Sequence, residues 1–184
     1  RVDQQPGEVD PAAADSPRRR PVRVLRAAAA AAQADPVFAP HTVRRLAEET
    51  APLPRPGPRP AREALVTLLG AGLELIPVWE VLDRSGILAG LLPEWGRIRS
   101  LPQRNSLHIH TVDRHTLETV VVASEQTRRV QRPDLLLVGA LLHDIGKGLR
   151  GDHSVAGAAI AGDLAAALGF KAEDVAILAG LVRH

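Results

Sequence analysis

In the stretch LLHDIGKGLRGDHSVAGA, residues 141–158, an apolar run ends on His143 and Asp144 side by side, with Lys147, Asp152 and His153 close behind. Imidazole nitrogen and carboxylate oxygen both bind divalent cations, and without a thiolate they suit Mn, Fe, Mg or Zn. The segment leading to the pair, DLLLVGALLHDI, reads as a helix apolar on almost every side, so its end is expected to lie deep. A carboxylate buried there without a partner would cost on the order of several kcal/mol. A cation beside it removes that cost, and the two oxygens of Asp144 would let it bridge two ions. The plainer reading is a helix-closing pair, the imidazole favoured by the negative end of the helix dipole and the carboxylate by a nearby Arg.

The arrangement of the other imidazoles favours the metal. His143 lies 28 residues beyond His115, His153 ten beyond His143, and His184 31 beyond His153. Zinc-finger ligands stand roughly three to five residues apart, so that pattern is excluded. Wide spacing suits a site gathered inside a helical bundle, each helix offering one or two inward ligands. Lys147 and Arg183 are candidate partners for phosphoryl oxygens, although a lysine closing a helix also reads as a solvated side chain. Asp152 is read as the start of the next helix and Asp113 as solvent-facing.

Helices must position these groups. Of the 184 residues, 45% are apolar but only 2% aromatic, with two Trp, two Phe and no Tyr. A core of Leu, Val, Ile and Ala favours packed helices over a β-sandwich. VRVLRAAAAAAQ (22–33) and HTVRRLAEE (41–49) are expected to be helical, ahead of the Pro-rich APLPRPGPRP (51–60), which is expected to be an extended connector. Beyond it AREALVTLLGAG and ELIPVWEVLDRSG read as helices stopped by Gly, and LLPEWGRIRSLPQRN as a turn-rich passage. TVDRHTLETVVVASEQTRRV (111–130) reads as one long helix. Asp134 is expected to cap the next, Ser154 to cap SVAGAAIAGDLAAALG, and EDVAILAGLVRH to form the last. We expect an all-α chain: a loose polar segment at 1–21, a short helical linker region at 22–60, and a helical-bundle domain at 61–184.

Composition also excludes. With no Cys there are no disulfides or thiolate metal sites, and neither a membrane span nor a secretory signal is apparent, so the expected location is cytoplasmic. The net charge of +2 and the run PRRRPVR at 17–23 lack interleaved aromatics, so no nucleic-acid partner is expected. The absence of Met and the Arg at position 1 suggest a piece of a longer protein.

The order His, HDxGK, DHSxxGA and LVRH resembles the HD superfamily of metal-dependent phosphohydrolases. More narrowly, LLPEWGRIRSLPQRNSLHIHTVDRHTLE, LLHDIGKGLRGDHSVAGA and LVRH resemble the central HD domain of the bifunctional PII uridylyltransferase/uridylyl-removing family, closely from about Leu91 to His184. The resemblance implies an HD-domain helical bundle and hydrolysis of the phosphodiester between a nucleoside monophosphate and a Tyr of the PII signalling protein. It implies a divalent cation, Mg²⁺ or Mn²⁺, with His115, His143 and Asp144 as ligands and His153 and His184 serving a second ion. His143, Asp144 and Lys147 would then be catalytic, and Lys147 and Arg183 would bind substrate. His110 stands where the family usually has an aromatic ring; five residues from His115 and about 140° round a helix from it, it is read as a tolerated replacement. The chain has neither the Gly-Ser nor the paired-Asp motif of the family's transferase, and glutamine would be sensed by domains absent here. The family's last Asp ligand would lie beyond residue 184, so the HD domain is expected to be C-terminally truncated and this segment alone inactive. Two rivals keep the fold: an HD hydrolase of another nucleotide (an alarmone, a deoxynucleotide or a cyclic dinucleotide), and a non-catalytic HD interaction module.

Overall fold

The most apolar segment of the sequence becomes the helix around which the others gather. The chain is seen in a computed structural model that describes residues 20–34, 38–102, 110–149 and 151–184. Among them the α-helices are α1 (Arg20–Ala34), α2 (Pro40–Glu49), α3 (Arg59–Leu69), α4 (Leu75–Arg84), α5 (Ile87–Leu91), α6 (Val112–Glu125), α7 (Pro133–Leu142), α8 (His153–Ala167) and α9 (Ala172–Arg183). Short 3-10 turns stand at Gly72–Glu74, Pro93–Arg97 and Thr127–Arg129, and no strand occurs among the described residues. The all-α expectation is correct. The loose segment expected at 1–21 falls, up to residue 19, outside the described residues.

Helix α7 has apolar side chains all round, which only a buried helix can accommodate. It packs against α3, α6 and α9, and Leu135, Leu137, Val138, Leu141 and Leu142 are buried. Helices α3 and α4 add Leu65, Leu68, Leu69, Leu75, Trp79 and Leu82 to the same core. Trp79 meets Trp95 edge to face, with ring centroids 5.1 Å apart.

The Pro-rich stretch forms no helix up to Pro58, as expected, but it bends at Arg55 and Pro56, and Arg59 and Pro60 then open α3. Pro tolerates the first helical turn because its missing N–H has no partner to lose there. The stretch does not separate two cores. Val24, Leu25, Ala28, Ala29 and Ala32 of α1 join the same apolar cluster as α3 and α4. The connector is also tied down: the Gly57 N–H donates to the Ala167 carbonyl at 2.6 Å, and Arg55 donates to Glu94 at 2.7 Å. Arg62 donates to the Gly169 carbonyl and lies 4.9 Å over the Phe170 ring.

Three local expectations are corrected. The long helix ends at Glu125, and the residues that follow tighten into a 3-10 turn. Asp134 does not cap α7: Pro133 occupies the first turn behind Arg132, and Asp134 pairs instead with Arg132 at 2.9 Å. Ser154 does not cap α8 either. Asp152 does, its carboxylate accepting from the Ser154 and Val155 N–H groups at 2.9 and 3.4 Å, as a strong N-cap residue should.

Candidate metal centre

Helix α7 stops at Leu142, so His143 closes it and Asp144 stands in the turn that follows. The helix is buried, and the turn therefore emerges at the edge of the core and not on an open face. The side chain of Asp144 is 11% exposed, against 30% for His143 and 32% for His115. His115 comes from the neighbouring helix α6, next to the fully buried Thr116 on the same turn. The rings of His115 and His143 meet edge to face at 5.4 Å.

The His143 ring has a defined protonation pattern. Its Nδ1 lies 2.8 Å from the Ala140 carbonyl. A carbonyl only accepts, so Nδ1 carries the hydrogen and donates, and Nε2 is left to face the centre. Nε2 stands 3.2 Å from Asp144 Oδ2. In the neutral ring, that geometry sets a lone pair against a carboxylate oxygen, and only a proton or a cation between them relieves it. Burial opposes charge on His143, but the Asp144 carboxylate and the Ala140 carbonyl outweigh it and raise the imidazole above its ordinary value. Burial likewise favours the neutral form of Asp144, yet His143 and Lys147 overcome it and bring the pKa down to about 2.

Asp144 Oδ2 is the focus of the site. It is sealed from solvent and lacks a hydrogen bond of normal geometry, although Lys147 Nζ stands at 2.8 Å and His115 Nε2 at 3.8 Å. Charge surrounds this oxygen, but no well-directed donor serves it. One ligand atom each from His115, His143 and Asp144 lies within 4.8 Å of the others, which makes these three the one group of this kind among the described residues. Two imidazole nitrogens and a carboxylate oxygen converging on one point fit a divalent cation.

The remaining sequence candidates stand apart from that group. His153 opens α8 and His184 follows α9, and both are exposed. Arg183, in the last turn of α9, is exposed as well. Lys147 is not the solvated lysine of the plainer reading, because it is half-buried against Asp144. His110 lies ahead of α6, with Nε2 3.5 Å from Glu118 Oε1, outside the three-residue group. Asp113 is half-buried and structural: its carboxylate accepts from the Ser100 N–H at 2.8 Å and from the Arg114 N–H at 2.9 Å. Sequence reading missed Ala140, whose carbonyl orients His143. Its only trace is the three-residue spacing at a helix end.

On another flank of α6 a cleft of about 300 Å³ is lined by Trp79, Glu80, Asp83, Trp95 and Arg114 among others. Its charges are compensated internally, with Arg114 3.1 Å from Glu80 and Arg99 2.8 Å from Asp83. No single helix among the described residues is long and apolar enough to cross a membrane.

Comparison with known proteins agrees with this geometry. Residues 112–184 match the family described as HD domain, a stretch that runs from the helix bearing His115 to the end of the chain. Over 183 residues the chain is 57% identical to a bifunctional uridylyltransferase/uridylyl-removing enzyme of Streptomyces coelicolor, covering all of this chain and 22% of that protein. An enzyme of the same name from Mycobacterium tuberculosis is 46% identical over 178 residues, 97% of this chain and 22% of its own length. That from Corynebacterium glutamicum is 40% identical over 162 residues, 88% of this chain and 23% of its own length. The chain thus spans about a fifth of the length of these relatives, and the likeness extends well upstream of Leu91. With two imidazoles and a carboxylate gathered on one point, residues 112–184 belong to the HD domain family, and the chain as a whole is similar to one segment of the bifunctional uridylyltransferase/uridylyl-removing enzymes.

Proposed function

We propose that this domain hydrolyses the phosphodiester linking a nucleotidyl group, uridylyl by the name of its relatives, to a Tyr of the PII signalling protein. The observation that carries the reading is the convergence of His115, His143 and Asp144 on one point at the edge of the core. These three would hold a divalent cation, Mg²⁺ or Mn²⁺, with His153 and His184 serving a second ion. When bound, such a cation supplies Lewis acidity towards a phosphoryl group and lowers the pKa of water.

The chain's own residues do the rest. The Ala140 carbonyl holds the hydrogen on His143 Nδ1, so in the neutral ring Nε2 turns its lone pair to the site. His143 and Lys147 hold Asp144 in its ionised form. With that carboxylate neutralised by other means, Lys147 becomes available to a phosphoryl oxygen, and Arg183 is the second candidate for that role. The leaving group is undemanding, since a Tyr phenol has a pKa of about 10. Residues 61–184 would form the catalytic unit and 22–60 its helical approach, in a cytoplasmic protein.

Nucleotidylated PII incubated with the full-length protein and Mn²⁺ or Mg²⁺ tests the proposal. The parent should release nucleoside monophosphate, and His143→Ala and Asp144→Ala should each reduce the rate at least about a hundredfold. Release by these variants at the parental rate would refute the reading.

A further inference from the structure

Helix α8 carries two glycines in its interior, Gly157 and Gly162, and a mid-helix glycine lowers stability relative to alanine. The two differ in what surrounds them. A Cβ at Gly162 would meet only ordinary contacts, Ala179 Cβ and Val175 Cγ1 at 3.8 Å. At Gly157 it would meet Val182 Cγ1 at 3.0 Å, and Gly146 N and Cα at 3.3 and 3.4 Å. From the other side, a Cβ on Gly146 would lie 2.6 and 2.7 Å from Gly157 N and Cα, and would collide with the His153 carbonyl. Backbone therefore rests on backbone here, with no side chain between them.

Three elements meet at this contact. Gly146 belongs to the turn that carries Asp144 and Lys147, Gly157 lies one turn into the helix opened by His153, and Val182 immediately precedes Arg183 and His184. We infer that Gly157 is a positioning residue: by letting α8 and α9 close onto the Gly146 turn, it sets the reach of His153 and His184 to the His115, His143 and Asp144 group. This rests on the proposal that His153 and His184 serve a second ion. A methyl group at 157 would press first on Val182 Cγ1 at 3.0 Å, with the Gly146 main chain close behind at 3.3 Å, so it would push the end of α9 away from the turn.

The test is Mn²⁺ binding by the purified protein, followed by electron paramagnetic resonance and isothermal titration, with no turnover required. Gly157→Ala should weaken the second, looser Mn²⁺ about tenfold or more, while the tighter ion stays within about threefold of the parent. Removing the nearest obstacle with Val182→Ala in the same chain should restore most of the loss. Gly162→Ala should bind both ions as the parent does. His153→Ala should lose the looser ion, and that arm tests the reading beneath: if His153→Ala binds both ions normally, the second-ion assignment fails and the inference with it. If His153→Ala loses the ion but Gly157→Ala keeps it, the junction alone is refuted. Loss of helix content in Gly157→Ala, or no recovery with Val182→Ala, would also overturn it, because the effect would then not be local positioning.

Discussion

Two regions of this molecule pack by opposite means. Around α3 and α4 the contacts are made by large side chains, with Leu65, Leu68, Leu69, Leu75, Trp79 and Leu82 at no more than 1% exposure. In α8 most of the buried residues are small, Gly157, Ala158, Ala161, Ala165 and Ala167, with Leu164 the one large side chain among them, and α9 adds Leu178 and Val182. In the first region energy comes from apolar area, and small errors of placement are taken up by rotamers. In the second, main chain approaches main chain at Gly146 and Gly157, and placement there depends on that contact. The polar centre lies between them, with Asp144 and Lys147 on a turn that leaves the large-residue core through α7 and meets α8 through Gly146. Stability is thus concentrated on one side and precision of placement on the other.

That contrast can be broken at its strongest point first. Trp79→Ala removes the largest fully buried side chain and its edge contact with Trp95, and should destabilise by about 3–5 kcal/mol in urea unfolding. If the division holds, the folded variant still binds a cation at His115, His143 and Asp144 with near-parental affinity. A smaller loss is expected where α8 ends. Gly169 has φ +79°, and a Cβ there would stand 2.5 Å from the Gly57 carbonyl oxygen. Gly169→Ala should cost about 1–3 kcal/mol by the same unfolding measurement. A neutral result would show that the connector's grip on α8 is dispensable.

The smallest effect belongs to the surface. Arg132 donates to both Asp134 and Asp174, at 2.7–3.0 Å. Its guanidinium holds the carboxyl of Asp174 below the ordinary range, and that of Asp134 too, where burial opposes it. Because the folded values are depressed, the contribution is complete above the unfolded value of about 4 and fades as pH falls through the folded values. Arg132→Ala should therefore lower the thermal midpoint slightly at pH 7, and the gap from the parent should close on acidification below about pH 4. A gap that stayed constant with pH would assign the effect to packing of the Arg stem.

The legibility of the sequence follows the same contrast. Apolar periodicity and Gly stops located α3, α4, α7 and α9 well, because burying large side chains is a property of the local pattern. The capping errors at Asp134 and Ser154 were errors of one or two positions: Pro133 takes the first helical position of α7 behind Arg132, and Asp152, two residues before Ser154, caps α8. His115, His143 and Asp144 were legible from type and order. The Gly146–Gly157 contact was not, since a glycine's role in a close approach depends on which main chain stands opposite it. The Ala140 carbonyl was hidden for the same reason, because every residue has one.

The central claim is that two imidazoles and one carboxylate, brought together from α6 and the end of α7, hold a divalent cation. Titration of the metal-stripped protein with Mn²⁺, monitored by electron paramagnetic resonance, tests it most directly. The parent should bind Mn²⁺ tightly, and Asp144→Ala and His115→Ala should each weaken that ion by about tenfold to a hundredfold or more. Binding by Asp144→Ala indistinguishable from the parent's would contradict the account.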